Sequence, residues 1–443
     1  MVKASISSYR ILVHLSNRCA KERIAMGKQL FRRYGIFVAI GILAAVIVII
    51  FISNNTNSNI HSDGAEAQPT AVSVASKTTE KREMRAVWVP YFSLNMAGEQ
   101  DQSELAFQQK FNRILREAKS HKMNTLIVQV RPFADAFYPS VRFPWSSYLT
   151  GTQGMDPGYD PLAYMVQSTH NAGMEFHAWI NPLRIQVDGV PEQKAESNLY
   201  NLWKDDPEKE DWCLSWEEND GIYLNPGIPE VRQYIADGVR EIVEQYDVDG
   251  IQFDDYFYPA EEGAFDQETY QNYCDAMEEG KIPLSQKEWR KANISSLIAL
   301  VYTTVHETDS SVVFGVSPQG NVENNEKIGA DVTAWCSTVG YVDYICPQLY
   351  YNFENPVLPF DKAAAQWKAM VTNREIKLYF GLALYKASSD VDEGTWRSSD
   401  DILAREVNIG RKVGCDGFMF YSYEQLNSEK ARQEVENVMQ MLE

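Results

Sequence analysis

At 443 residues, 44% apolar and 12% aromatic, the chain has the make-up of a globular protein with a large core, which excludes a disordered or fibrous class. The net charge of −20 is unevenly spread: residues 1–33 hold eight Lys and Arg against one acidic residue, so the remainder carries about −27. A body this acidic repels phosphate backbones, and nucleic acid is excluded as a partner.

The basic segment 1–33 is followed by residues 34–52, YGIFVAIGILAAVIVIIFI, nineteen positions without a charge. That length nearly spans a bilayer, and the flanking Arg32 and Arg33 keep the N-terminus in the cytoplasm. The run is longer than a signal-peptide core and no small-residue cleavage site follows it, so an uncleaved signal-anchor is expected. This helix is the expected single-pass contact with the cell membrane, with the rest of the chain extracytoplasmic. Residues 53–82, rich in Asn, Ser, Thr and Ala, read as a flexible tether.

From residue 83 to 443 one pattern repeats: a short β-rich run, a polar loop, then a segment with apolar residues at three- and four-residue steps. Eight strands are predicted, within RAVWVP, NTLIVQVRP, MEFHAWINP, GIQFDDY, VVFGVSPQG, VDYICPQLY, KLYFGLALYK and CDGFMFYSY. Strand–helix alternation implies parallel pairing through right-handed crossovers, and eight units give a (β/α)8 TIM barrel. No GxGxxG turn follows the first strand, which removes a dinucleotide-binding sheet. Each strand is apolar at its start and polar at its end, and in a barrel those ends meet at one face. The loop from Leu183 to Pro229, with Trp203, Trp212 and Trp216, is expected over that face. None of the six cysteines sits at a metal-ligand or CxxC spacing, and Cys346 and Cys415 read as small buried hydrophobes.

The fourth strand ends in DGIQFDDYFYP, placing Asp254 and Asp255 at the catalytic face. Neighbouring residues of a strand point to opposite sides, so at most one of the two faces the barrel mouth directly. An ionised group at the end of a buried strand must be paired or used, which makes both candidate catalytic carboxylates. Substrate-binding candidates at the other strand ends are Gln129 and Arg131; His177, Trp179 and Asn181, which alternate along one face; Asn225; Tyr256 and Tyr258; Gln348 and Tyr350; and Tyr385 with Lys386. His177 in a strand reads equally as a satisfied core residue, and the two tyrosines after Asp255 as fillers of the mouth. No metal site, no cofactor and no GxSxG elbow is expected.

The strings REMRAVWVPYF, IVQVRPFADAFYPS, HAWINPLR, YLNPG, VDGIQFDDYFYP, GVSPQGN, YICPQLYY and GLALYK, in this order, resemble the glycosyl hydrolase-like 10 family of exported barrel hydrolases. The resemblance implies cleavage of a glycosidic bond in a polysaccharide or oligosaccharide, with cell-wall peptidoglycan as the expected glycan. DGIQFD is also similar to the fourth-strand motif of the alpha-amylase family, which points to Asp254 as nucleophile. Against the chitinase pattern DGxDxDxE, Gln252 replaces an Asp and Tyr256 replaces the Glu, so a separate acid is needed. Glu323, Glu354 and Glu424 follow strands and none stands out. A non-catalytic glycan-binding barrel is the alternative reading, and a purely structural envelope protein a third.

Overall fold

Alternation of apolar residues along short runs builds the strands, and their pairing closes a barrel. The computed structural model describes residues 82–442; the basic segment 1–33, the apolar run 34–52 and the tether, Arg82 excepted, lie outside them. Among the described residues no helix is long and apolar enough to cross a membrane.

The strands are β1 (Met84–Val89), β2 (Thr125–Arg131), β3 (Glu175–Ile180), β4 (Arg184–Gln186), β5 (Cys213–Trp216), β6 (Gly221–Leu224), β7 (Gly250–Phe253), β8 (Val313–Val316), β9 (Tyr344–Ile345), β10 (Lys377–Leu382) and β11 (Gly417–Phe420). β1, β2, β3, β7, β8, β9, β10 and β11 form a closed parallel barrel, sealed where β1 pairs with β11. These are the eight predicted strands. Helices cover the barrel, among them Glu104–Ser120, Pro161–Asn171, Pro229–Gln245 and Gln286–Thr308. Their starts follow capping chemistry: Ser103, Asp160 and Ser285 each accept a backbone N–H from the first turn, and Pro161 supplies a preset φ.

The period-2 rule sorts side chains into two layers. On β2, Leu126 and Val128 pack outward against the helices, while Ile127 faces a smaller interior cluster with Ala86, Trp88, Trp179, Tyr344 and Met419. Glycines make room inside: a Cβ at Gly250 would lie 2.6 Å from the His177 ring, and one at Gly315 would lie 2.1 Å from that of Tyr344. The interior is tied by hydrogen bonds. Trp88 Nε1 donates to Gln252 Oε1 at 2.6 Å, Gln252 Nε2 donates to the Tyr344 hydroxyl at 3.3 Å, and His177 Nδ1 lies 3.1 Å from that hydroxyl.

At the face where strands begin, side chains staple neighbours in pairs. Asn124 accepts from Arg85 N, Asp249 from Phe176 N, Asp343 from Phe314 N and Asp416 from Leu378 N, at 2.7–3.0 Å. Each residue lies just before one strand and caps the start of the previous barrel strand. The two ends of the described residues meet here: Arg85 Nη1 donates to Leu442 O at 2.9 Å, and Arg411 holds Glu83 through two 2.8 Å contacts.

The segment 183–229, expected as one long loop, contains secondary structure of its own. β4, β6 and β5 form a small antiparallel sheet, driven by burial of Ile185, Leu214, Ile222 and Leu224. Its tryptophans pack on aromatic neighbours. Trp203 packs on Trp212 at 4.9 Å and on Tyr234, of the helix Pro229–Gln245, at 5.5 Å, while Trp216 meets Phe265.

Candidate active site

A cleft of ≈ 470 Å³ opens where the barrel strands end, and its floor holds Asp254 and Asp255. Asp254 continues the inward face of β7 begun by Gly250 and Gln252, and it is only 4% exposed. Trp179 Nε1 donates to Asp254 Oδ2 at 3.0 Å, Asn181 Nδ2 donates to the same oxygen, and Tyr256 N donates to Oδ1 at 3.3 Å. Burial, with the charge of Asp255 second, pushes the Asp254 carboxyl up to about 7. Asp255 is half-buried beside it. It accepts from Gln348 Nε2 at 2.9 Å, and burial raises its carboxyl too. The two neighbouring carboxyls thus both hold their protons more tightly than free carboxylates do.

Behind Asp254 stands a relay of polar side chains. Asn181 Oδ1 accepts from Gln129 Nε2 and from Arg184 Nη2, the latter at 3.0 Å. The Arg184 guanidinium also donates from Nε to Pro132 O and lies between the rings of Phe133, at 4.6 Å, and Tyr256, at 4.9 Å. It is the cation among the residues that line the cleft, and its charge lowers both aspartates. The walls are aromatic. Trp88, Tyr91, Phe92, Trp179, Tyr256, Tyr350, Tyr385 and Tyr421 contribute, with Phe92 and Tyr256 each 47% exposed at the rim. Such rings offer flat faces to apolar surface while hydroxyls and amides supply hydrogen bonds, an arrangement suited to an amphipathic ligand. Among the described residues no cluster of His, Cys, Asp and Glu could hold a metal ion.

The glycosyl hydrolase-like 10 family model matches residues 83–398. The chain belongs to this family. Glycosyl hydrolase YngK of Bacillus subtilis (strain 168) is 35% identical over 370 residues, which cover 78% of this chain and 69% of that protein. Glycosyl hydrolase DigH of Escherichia coli (strain K12) is 32% identical over 377 residues, covering 79% and 83%. Among solved structures, the glycoside hydrolase domain of PgaB (BpsB) from Bordetella bronchiseptica is similar with a TM-score of 0.51 at 15% identity, covering 81% of this chain and 99% of that one. At that identity the likeness concerns the barrel alone. Membership in this family makes the chain a glycoside hydrolase.

The hydrolase gathers Asp254, Asp255, Gln129, Trp179, Tyr256, Gln348, Tyr350 and Tyr385 around one cleft, with Asn181 directly behind. Five other residues expected at the site lie elsewhere. Arg131 is turned out of the barrel by a register shift between Gln129 and Arg131, and its guanidinium lies buried 4.4 Å from the Phe143 ring. His177 sits too deep, below the cleft floor, where burial drops its imidazole to about 4 and leaves it neutral. Asn225 organises a turn by donating to Asp211 O and Thr269 Oγ1 and accepting from Gly227 N. Tyr258 is buried against Phe265 and Arg290. Lys386 is occupied by Asp392 and Tyr350 O, at 2.8 and 3.0 Å, and so braces the wall instead of lining it. Of the acids weighed from the sequence, Glu323 and Glu354 are exposed outside the cleft, while Glu424 is held by Ser422 Oγ at 2.6 Å. Lining residues missed from the sequence include Trp88, Tyr91, Phe92, Arg184, Ser317 and Tyr421. Alternation from Met419 would have found Tyr421.

Proposed function

We propose that this hydrolase cleaves the glycan strands of peptidoglycan on the outer side of the plasma membrane, with Asp254 as proton donor and Asp255 as its ionised partner. The observation that carries the chemistry is the adjacent carboxyl pair at the floor of an aromatic cleft, the lining carboxyls among the described residues. Asp254, protonated up to about pH 7 through burial and its neighbour's charge, delivers a proton to the glycosidic oxygen as the bond to the anomeric carbon breaks. Asp255 stabilises the positive charge that develops on the sugar ring, and water completes the hydrolysis while its proton restores the pair. The alpha-amylase likeness assigns Asp254 a nucleophile's role instead. Its burial and the neighbouring Asp255 charge, which hold its proton against the pull of the Trp179 and Asn181 donors, favour the proton donor.

The envelope location is supported by the basic segment 1–33 followed by the uncharged run 34–52, which together orient a signal-anchor with the barrel outside. A glycan with exposed apolar ring faces suits the rim of Phe92, Tyr256 and Tyr385. The test is incubation with purified peptidoglycan, intact and stripped of stem peptides, with released sugars identified by mass spectrometry. Cleavage products ending at glycosidic bonds are expected from at least one of the two. Release of none, by a preparation whose circular dichroism reports a folded barrel, would sink the substrate assignment.

A further inference from the structure

A second cavity, of ≈ 610 Å³, opens on the same face of the barrel between residues 147–153, in the loop after β2, and residues 190–196, after β4. We propose that this cavity is a distal saccharide subsite, which holds a further sugar unit of the same glycan strand whose bond is cut over Asp254 and Asp255. The proposal rests on the reading of the cleft as a glycan-cleaving site.

Three observations support it. First, the two spaces share an aromatic wall. Tyr148 lines the cavity and Tyr91 lines the cleft, and their rings meet edge to face with centroids 4.5 Å apart. Phe133 backs both: it stacks with Tyr148 at 6.5 Å and carries Arg184 of the cleft 4.6 Å from its ring. With Phe92 against Tyr91 at 5.4 Å, ring contacts run unbroken from the rim of the cleft to the lining of the cavity. A polymer bound in the cleft would run along these rings, because ring faces accept successive sugars without demanding one register.

Second, the cavity is built rather than left between loose loops. Gln153, itself 6% exposed, ties its two lips together: Oε1 accepts from Ala195 N at 3.0 Å and from Asn198 Nδ2 at 3.2 Å, while Nε2 donates to Asp135 at 3.3 Å. Asn201 Nδ2 donates to the carbonyls of Lys194 and Ala195, fixing the far lip from beneath. A preformed site loses less ordering entropy when it binds. Third, the lining chemistry is mixed. The half-buried Tyr148 ring faces a set that includes Thr152, Glu192, Gln193 and Lys194. One apolar ring beside several hydrogen-bonding groups matches a pyranose.

The test uses the full chain and peptidoglycan strands stripped of stem peptides and fractionated by length. Thr152 and Gln193 are exposed, lie on opposite lips and are not among the residues that line the cleft, so Thr152→Trp and Gln193→Trp each obstruct the cavity from a different side. For the wild type, kcat/KM is expected to rise at least tenfold from the shortest strand cut to the longest. In either variant that rise should collapse to less than about threefold, while the rate on the shortest strand stays within twofold of wild type. Wild-type rates independent of strand length overturn the proposal, as does full length dependence in both folded variants. Absence of cleavage at every length by the wild type overturns the reading of the cleft itself, and the subsite with it.

Discussion

Asn181 does not line the cleft, yet Asp254 is held through it, which makes Asn181→Leu an informative perturbation. Leu has a similar volume, so it keeps water out of the space while removing the donor to Asp254 and the acceptor used by Gln129 and Arg184. A hydrogen bond to a charged group contributes about 1.5–3 kcal/mol, and about 1.4 kcal/mol corresponds to a tenfold change in an equilibrium. Losing this one favours the protonated carboxyl. If Asp254 is the proton donor, the alkaline limb of kcat/KM, expected near 7 in the wild type, should move up by at most roughly two pH units. The two orphaned donors should also destabilise the barrel, by about 1–3 kcal/mol each, and lower Tm. The assay is the pH profile of kcat/KM on stripped glycan strands, wild type against variant, with circular dichroism at each pH. A folded variant whose alkaline limb coincides with that of the wild type refutes the donor role of Asp254.

Other perturbations follow from the same geometry. Asp254 binds its proton more tightly folded than unfolded, so wild-type stability should fall as pH rises from about 4 towards 7; Asp254→Asn should abolish cleavage, and its Tm relative to wild type should climb across that window. A parallel pH dependence of the two Tm values would contradict this. Glu406 is 0% exposed with both carboxyl oxygens lacking a hydrogen-bond partner, and burial and the Glu434 charge hold its proton far above the usual range. Its weakened acidity makes this group's contribution to stability fall as pH climbs above about 4.5, so Glu406→Gln should show a Tm gain over wild type that grows with pH, at unchanged kcat. Tyr385, 42% exposed at the rim with edge contacts to Tyr350 and Tyr421, should bind sugar: Tyr385→Ala is expected to raise KM for oligosaccharides roughly two- to tenfold with little change in kcat. An unchanged KM would remove it from the binding surface.

The barrel was legible because its signals are local and repeated: eight alternating runs, each followed by a helical period, leave little room for another sheet. Asp254, Trp179 and Asn181 were legible for the same reason, since period 2 carries an inward face through to the strand's end. What stayed hidden depends on events that periodicity does not encode. One extra residue in β2 sends Arg131 outward, a shift that no residue type announces. Asn225, Tyr258 and Lys386 follow strands like the residues that line the cleft, but are captured by a turn, by Arg290 and Phe265, and by Asp392. Arg184 and Tyr91 reach the cleft from short segments beyond the strand ends, where direction is set by tertiary packing against Phe133 and Tyr148. His177 kept the right face and the wrong depth: alternation tells inside from outside but not floor from mouth.

The meeting of Arg85 with Leu442, and of Glu83 with Arg411, bears on how this protein can be rewired. Both ends of the described chain emerge at the strand-start face, and every residue of the cleft belongs to the other. The order in which the strands are joined is therefore separable from the chemistry they present. A circular permutant that links residue 442 back to residue 82 through a short flexible connection, and opens at the exposed Ile282, would keep all eight ladders and the whole cleft. By the same token a cargo domain or a solid support joined directly at residue 82 or residue 442 would leave from the face opposite the cleft.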